Sequence, residues 1–175
     1  MTRKITRAAS RIALGLQDKL YLGNLSAKRD WGHARDYVEM MWMILQAAEP
    51  EDWVIATGVT TEVREFVRMA FAEAGIEIEF RGTGVDEKGC VKACHNPKYQ
   101  LKSGVEVVTV DPRYFRPTEV ELLIGDPTKA REKLGWTPKV MLPELVHDMM
   151  QSDLKLMTQD RYLQEGGYRT MNYYE

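Results

Sequence analysis

Leu20-Tyr-Leu-Gly-Asn-Leu-Ser-Ala-Lys-Arg-Asp-Trp-Gly-His-Ala-Arg-Asp-Tyr-Val38 is the stretch on which the reading of this chain turns. The apolar run Leu20 to Leu22 predicts a short strand, closed by the turn pair Gly23-Asn24. A polar loop follows, with Lys28, Arg29 and Asp30 beside Trp31, and a helix is expected from near His33 to about Gln46. Spacing alone leaves two readings of the loop. Two cations and a ring at the mouth of a strand suit an anionic ligand, because a guanidinium fork matches phosphate oxygens bidentately. The same residues also suit a solvated turn, with Asp30 paired to Arg29 and Trp31 packed on the core.

Upstream, residues 2 to about 14 read as a helix, with Ile5, Ala8 or Ala9, Ile12 and Ala13 at helical spacing and Gly15 as its stop. Arg3, Lys4, Arg7 and Arg11 give it a basic side. Such charges are usually a solvated face. Cations in a first helical turn oppose the helix dipole, however, and a docked anion would relieve that cost.

Downstream, the helix after His33 carries Tyr37, Met40, Met41, Ile44 and Leu45 on one side. The chain has ten methionines, three of them at 40, 41 and 43, which suits an adaptable packing surface. Trp53 to Thr57 reads as a short buried strand ended by Gly58. Thr61 is the expected N-cap of an amphipathic helix running to about Ala74, with Gly75 as its stop. Ile76 to Phe80 alternates strictly, the pattern of a half-buried strand, and Val105 to Val110 is another strand. In the loop from Asp111 to Glu119, Pro112 and Pro117 restrict their neighbours, including Arg116. That arginine is read either as a pre-ordered ligand grip or as a partner of Glu119 or Glu121. Asp126, Pro127 and Gly135 bracket a short helix as cap, first position and stop. A further amphipathic helix is expected from Pro143 to about Met157. The domain reading is a body over 1–158 and a C-terminal tail over 159–175.

The 175 residues suit one domain with a real core. A net charge of −2 gives no general pull toward nucleic acid or an anionic membrane, so any cationic site must be local. No apolar run reaches the roughly 20 residues that span a bilayer. The first residues lack the apolar core of a secretory signal. Cys90 and Cys94 are too few for a disulfide framework and wrongly spaced for a closed zinc site, so they read as ordinary thiols in a hairpin or its loop. The default location is cytoplasmic. Gly82 and Gly84 do not open a dinucleotide fingerprint, because Glu87 stands where the third glycine belongs.

The run from Tyr21 to Glu39 closely resembles the signature of GDP-mannose 4,6-dehydratases, which are extended short-chain dehydrogenase/reductases. Thr2-Arg-Lys-Ile-Thr-Arg7, Val54-Ile-Ala-Thr-Gly58 and Tyr114-Phe-Arg-Pro-Thr-Glu-Val120 resemble the same family in the same order, and the likeness extends to about Leu156. Asp126-x-x-Lys129 followed by Leu134-Gly-Trp136 is similar to a pattern of nucleotide-sugar enzymes of that class.

The resemblance implies an α/β fold: the C-terminal part of an extended short-chain dehydrogenase. The segment 33–57 would complete a Rossmann sheet, and the rest would form a small substrate-binding lobe. It implies conversion of GDP-mannose to GDP-4-keto-6-deoxymannose, a lyase step toward GDP-fucose, through an internal redox cycle of NADP. Carried over by position, Arg3 matches a contact to NADP, and Lys4, Arg29, Arg116 and Glu119 match positions that hold GDP-mannose. Asp30, Trp31 and His33 are expected to shape the loop.

The departure is also large. The glycine-rich cofactor loop is absent, and none of the eight tyrosines has a lysine four residues later. The chain opens inside a family motif, as a fragment or a shortened gene product would. No catalytic residue is assigned, and the chain alone is expected not to turn over substrate. Expected partners are GDP-mannose and a protein: a homo-oligomer, or a full-length relative or N-terminal half. The alternative function is a non-catalytic GDP-sugar-binding or interaction module.

Overall fold

The computed structural model describes residues 1–120 and 122–170. Two sheets share the chain. The larger has strand order β1 (Leu20–Leu22), β6 (Glu106–Val110), β5 (Lys88–Cys94), β4 (Ile76–Arg81). β1 runs parallel to β6, with Leu20 opposite Val108 and Leu22 opposite Val110. β5 runs antiparallel to both its neighbours, β6 and β4. The smaller sheet is β3 (Thr60–Glu62), β2 (Lys28–Asp30), β7 (Leu122–Leu123), with β2 antiparallel to β3 and parallel to β7.

Three helices cover the larger sheet: α1 (Thr2–Ala13), α3 (Val63–Glu73) and α5 (Leu142–Glu165). Their apolar stripes meet in one core. Ile5, Ala9 and Ile12 of α1, Phe66, Val67 and Phe71 of α3, and Val146 and Met150 of α5 pack on Ile76, Val91, Val107 and Val108. Strict alternation places Ile76 and Ile78 inside and Glu77 outside, as expected of a strand with one face covered. A second, smaller cluster lies apart from this core. There, Met40 of α2 (Ala34–Leu45) meets Ala130 of α4 (Thr128–Leu134) and Trp136, with Tyr37, Ile44, Trp53 and Ile55 around them. The buried Asp36 ties this cluster together. Its carboxylate accepts from the amides of Lys139 and Val140, both at 2.9 Å, while its carbonyl accepts from Trp136 Nε1 at 3.1 Å.

Helix stops follow the sequence closely. Gly15, Gly75 and Gly135 all take positive φ, which glycine adopts without a Cβ penalty. Asp126 Oδ1 accepts from Thr128 N at 2.9 Å, but α4 begins at Thr128 with Pro127 at its N-cap, so Asp126 lies one residue outside the cap expected of it. The Cys90 and Cys94 thiols are free and lie on β5 in a hairpin with β4.

Five expectations are corrected. The polar loop expected at Lys28 to Asp30 is strand β2, held by β3 on one side and β7 on the other, and Pro127 stands before α4 and not at its first helical position. Trp53 to Thr57 forms no strand. No backbone hydrogen bond reaches residues 53–56 among the described residues, and an extended run without a ladder partner is not a sheet member. Thr61 caps nothing, because it lies inside β3. The first amides of α3 are satisfied instead by distant carbonyls, Val63 N by Ala27 O at 3.0 Å and Arg64 N by Leu25 O at 2.9 Å. Finally, α5 runs past the boundary expected at 158 to Glu165, since no breaker intervenes before Gly166. Of the tail expected over 159–175, residues 171–175 lie outside the described part.

Candidate functional site

A cleft of about 590 Å³ opens where the first turn of α1, the end of β1, strand β2 and the connection 113–123 come together. Lys4, Arg29, Arg116 and Glu119, named from the sequence as a binding set, all line it. Each arrives by a different route. Lys4 is carried by α1, whose first turn holds no acidic residue and whose N-terminus has no side-chain cap. Unpaired amides and the positive end of the helix dipole therefore lie beside the cleft. Arg29 comes from the middle of β2, and Arg116 and Glu119 from the loop after β6.

Arg29 is already engaged. Its Nη2 donates to Glu119 Oε1 at 2.8 Å, and its Nη1 donates to the carbonyls of Val120 at 2.9 Å and Lys28 at 2.8 Å. Both partners of the ion pair are under 20% exposed, 17% for Arg29 and 18% for Glu119. Arg29 thus straps the 119–120 segment to β2 as well as presenting charge. The expected pairing of Asp30 with Arg29 does not form. Asp30 accepts instead from Thr57 Oγ1 at 2.6 Å, Thr57 N at 3.0 Å and Gly58 N at 2.8 Å, and so pins the turn after residues 53–56. Trp31 packs on Phe66, with ring centroids 4.9 Å apart. His33 caps α2, its Nδ1 accepting from Arg35 N at 3.0 Å.

Arg116 differs from Arg29. Glu119 is taken by Arg29, and among the described residues no acceptor holds the Arg116 guanidinium. Its backbone is held by Asn24, and the side chain is exposed at the cleft.

Two lining residues escaped the sequence reading. Arg113 is locked by Asp111: its Nε donates at 3.1 Å, its Nη2 at 2.7 Å and its amide at 2.9 Å. Those bonds, with the Lys4 charge behind them, hold the Asp111 carboxyl below its ordinary value, and Asp111 in turn raises Arg113. Tyr114 lies half-exposed with Lys4 Nζ 4.2 Å from its ring centroid, a cation–π contact that fixes the ammonium at the rim. The signal for both was the proline-bracketed loop, which pointed to order without saying which side chains face inward.

Arg3 is the exception among the named residues. It lies on the exposed side of α1, outside the cleft lining. The cleft therefore gathers four cations, Lys4, Arg29, Arg113 and Arg116, against Glu119 and the Asp111 that holds Arg113. An excess of fixed positive charge beside an uncapped helix end suits an anion with several oxygens. Among the described residues no group of His, Cys, Asp and Glu is arranged to hold a metal, and no helix is long and apolar enough to cross a membrane.

Residues 1–149 match the family described as GDP-mannose 4,6 dehydratase. The chain is 55% identical over 169 residues to GDP-mannose 4,6-dehydratase of Yersinia enterocolitica, covering 96% of this chain and 45% of that one. It is 50% identical over 157 residues to GDP-mannose 4,6 dehydratase of Homo sapiens, covering 90% of this chain and 40% of that one. The chain thus spans less than half the length of these relatives.

Among solved structures it resembles RMD from Pseudomonas aeruginosa complexed with NADPH, with a TM-score of 0.66 at 15% identity, over 89% of this chain and 42% of that one. It also resembles UDP-glucose 4-epimerase from Bifidobacterium longum in complex with NAD+ and UDP, with a TM-score of 0.58 at 14% identity, over 89% and 40%. Such identities speak for the fold, that of the C-terminal part of an extended short-chain dehydrogenase. Family match and fold agree: the chain belongs to the GDP-mannose 4,6-dehydratase family.

Proposed function

We propose that this chain is the substrate-binding portion of a GDP-mannose 4,6-dehydratase and that its cleft grips the diphosphate of GDP-mannose. The observation that carries the reading is the convergence of Lys4, Arg29, Arg116 and Glu119 on one cleft. Arg116, without an acceptor among the described residues, closes on one side of the diphosphate, and the strapped Arg29 offers fixed charge on the other. Lys4 adds a point charge at the helix end. The free Glu119 oxygen accepts from sugar hydroxyls.

The residues present do not fit the NADP that the family implies. Arg3 stands alone on an exposed helix face, and the chain has neither a glycine-rich phosphate loop nor a Tyr-x-x-x-Lys pair. Cofactor, catalytic base and most of the parallel sheet then come from a second polypeptide segment. Trp53 to Thr57, extended without a ladder partner in this chain, becomes a strand on pairing with such a segment, and the 33–57 region then completes its Rossmann sheet. The exposed α2 stripe of Val38, Met41, Trp42 and Leu45 is covered in the same assembly. A second reading is a GDP-sugar-binding module without catalysis. It is supported by the lack of a Tyr-x-x-x-Lys pair in a chain that keeps the cationic cleft.

Calorimetric titration with GDP-mannose and with GDP tests the reading. Binding is expected, with Arg116→Ala weakening it by about tenfold or more, the worth of a charge-assisted contact. No binding to the folded chain overturns it. The purified chain with NADP is expected to form no product, because it has neither the cofactor loop nor the Tyr-x-x-x-Lys pair that the family's redox cycle uses. Turnover would overturn the division of labour.

A further inference from the structure

The turn that ends β1 meets the 111–116 loop at three successive residues. Leu22 O accepts from Asp111 N at 2.8 Å. Gly23 lies so close beneath the loop that a Cβ there would stand 2.3 Å from Tyr114 O. Asn24 then holds Arg116 by both backbone groups: Nδ2 donates to Arg116 O at 2.9 Å, and Oδ1 accepts from Arg116 N at 2.8 Å. The two residues are 92 apart in sequence. Between these anchors the loop closes on itself, with Tyr114 N and Phe115 N both donating to Asp111 O at 2.9 and 3.0 Å.

A side-chain amide presents one donor and one acceptor side by side, which matches the N–H and C=O of a single peptide residue. Asp lacks the donor, and Gln carries the pair one methylene further out. No other described residue bonds the Arg116 peptide. Without Asn24, a donor and an acceptor at the cleft rim turn to water and the loop loses its far anchor.

We propose that Asn24 is the positioning residue of the cationic loop. Its amide sets where the Arg116 guanidinium stands in the cleft, and Gly23 sets the height at which the loop crosses β1. The inference rests on the GDP-sugar reading above only for the identity of the ligand. The positioning itself is a property of the unliganded chain.

Two measurements on the full chain test it. Amide exchange at Arg116 is expected to be slow in the native chain and faster by about tenfold or more in Asn24→Ala. Asn24→Asp, which keeps the acceptor for the amide, should fall between. Unchanged exchange in Asn24→Ala overturns the proposal. Affinity for GDP is expected to drop about tenfold in Asn24→Ala, but by less than about twofold when the same change is made in Arg116→Ala. An equal drop in both backgrounds means that Asn24 acts on the fold at large and also overturns the proposal. If the native chain binds no GDP, the GDP-sugar reading fails, and Arg116 exchange alone decides the role of Asn24.

Discussion

The layer built on the larger sheet and the lobe built on α2 contrast sharply. In the layer, α1, α3 and α5 close over β1, β4, β5 and β6, and large side chains such as Phe66, Phe71, Ile76 and Met150 are fully buried. In the lobe, the buried apolar cluster is only Met40, Ala130 and Trp136 among the described residues, and Leu45, on the helix that carries Met40, is 80% exposed. Val38, Met41, Trp42 and Leu45 recur at helical spacing on a face with no covering element. Residues 53–56 beside that cluster have no backbone partner among the described residues. The layer buries the apolar stripes of its three helices against its own sheet, whereas the α2 face and the backbone of residues 53–56 have no such cover among the described residues. The difference teaches that the cleft is formed by this chain's own residues, while the lobe carries the exposed apolar face on which the proposed second segment would dock.

The largest expected effect tests the layer. Phe66→Ala should lower stability by about 3–5 kcal/mol in denaturant unfolding, because it opens a cavity where three helices meet and removes the support of Trp31. A small loss would mean that the layer is no better packed than the lobe. Next comes the joint between the two regions. Asp30→Ala strips the amides of Thr57 and Gly58 of their acceptor and should cost about 2–3 kcal/mol, read by the same unfolding. Exchange protection should be lost locally at residues 57–58 while the β4–β5 amides stay protected.

On the lobe, Trp42→Ser with Leu45→Ser should leave unfolding within about 0.5 kcal/mol of the native chain and reduce its self-association in sedimentation. A large destabilisation would show that the α2 face is core after all.

The smallest effect concerns pH. The Lys19, Thr109 and Lys88 contacts hold Glu106 at about 2, below its ordinary value. A carboxylate depressed on folding contributes stability above its unfolded pKa and loses it as pH falls through the folded one. The chain should therefore lose stability between about pH 4.5 and 2 more steeply than Glu106→Gln. Parallel acid limbs for the two proteins would refute the assignment.

Much of the layer was legible beforehand, and for local reasons. Ile5, Ala9 and Ile12 repeat at helical spacing, Ile76 and Ile78 alternate, and Gly15, Gly75 and Gly135 end helices as left-handed glycines do. The lobe was less legible. Trp53 to Thr57 has the composition of a buried strand, but strand formation needs a hydrogen-bonded backbone neighbour, and none of the described segments bonds the backbone of residues 53–56. Thr61 looked like a cap because its type suits one, and the carbonyls of Leu25 and Ala27 filled that role from across the fold. At the site, Lys4, Arg29, Arg116 and Glu119 were named through resemblance rather than through any rule of spacing. Arg113 was not singled out, Tyr114 entered only within a family motif, and Asn24 only as a turn residue.

The chain's residues determine unaided where the helices lie, the strands β1, β4 and β6, where most of these end, and which family signature they carry. All of these depend on neighbours a few positions away. The tertiary structure alone decided that Arg29 pairs with Glu119 and not Asp30, that Arg116 is left to face the cleft, and that Asn24 holds it there. Those contacts join residues 90 and 92 apart, and their geometry exists once β1, β2 and the loop after β6 have been brought together by the core beneath them.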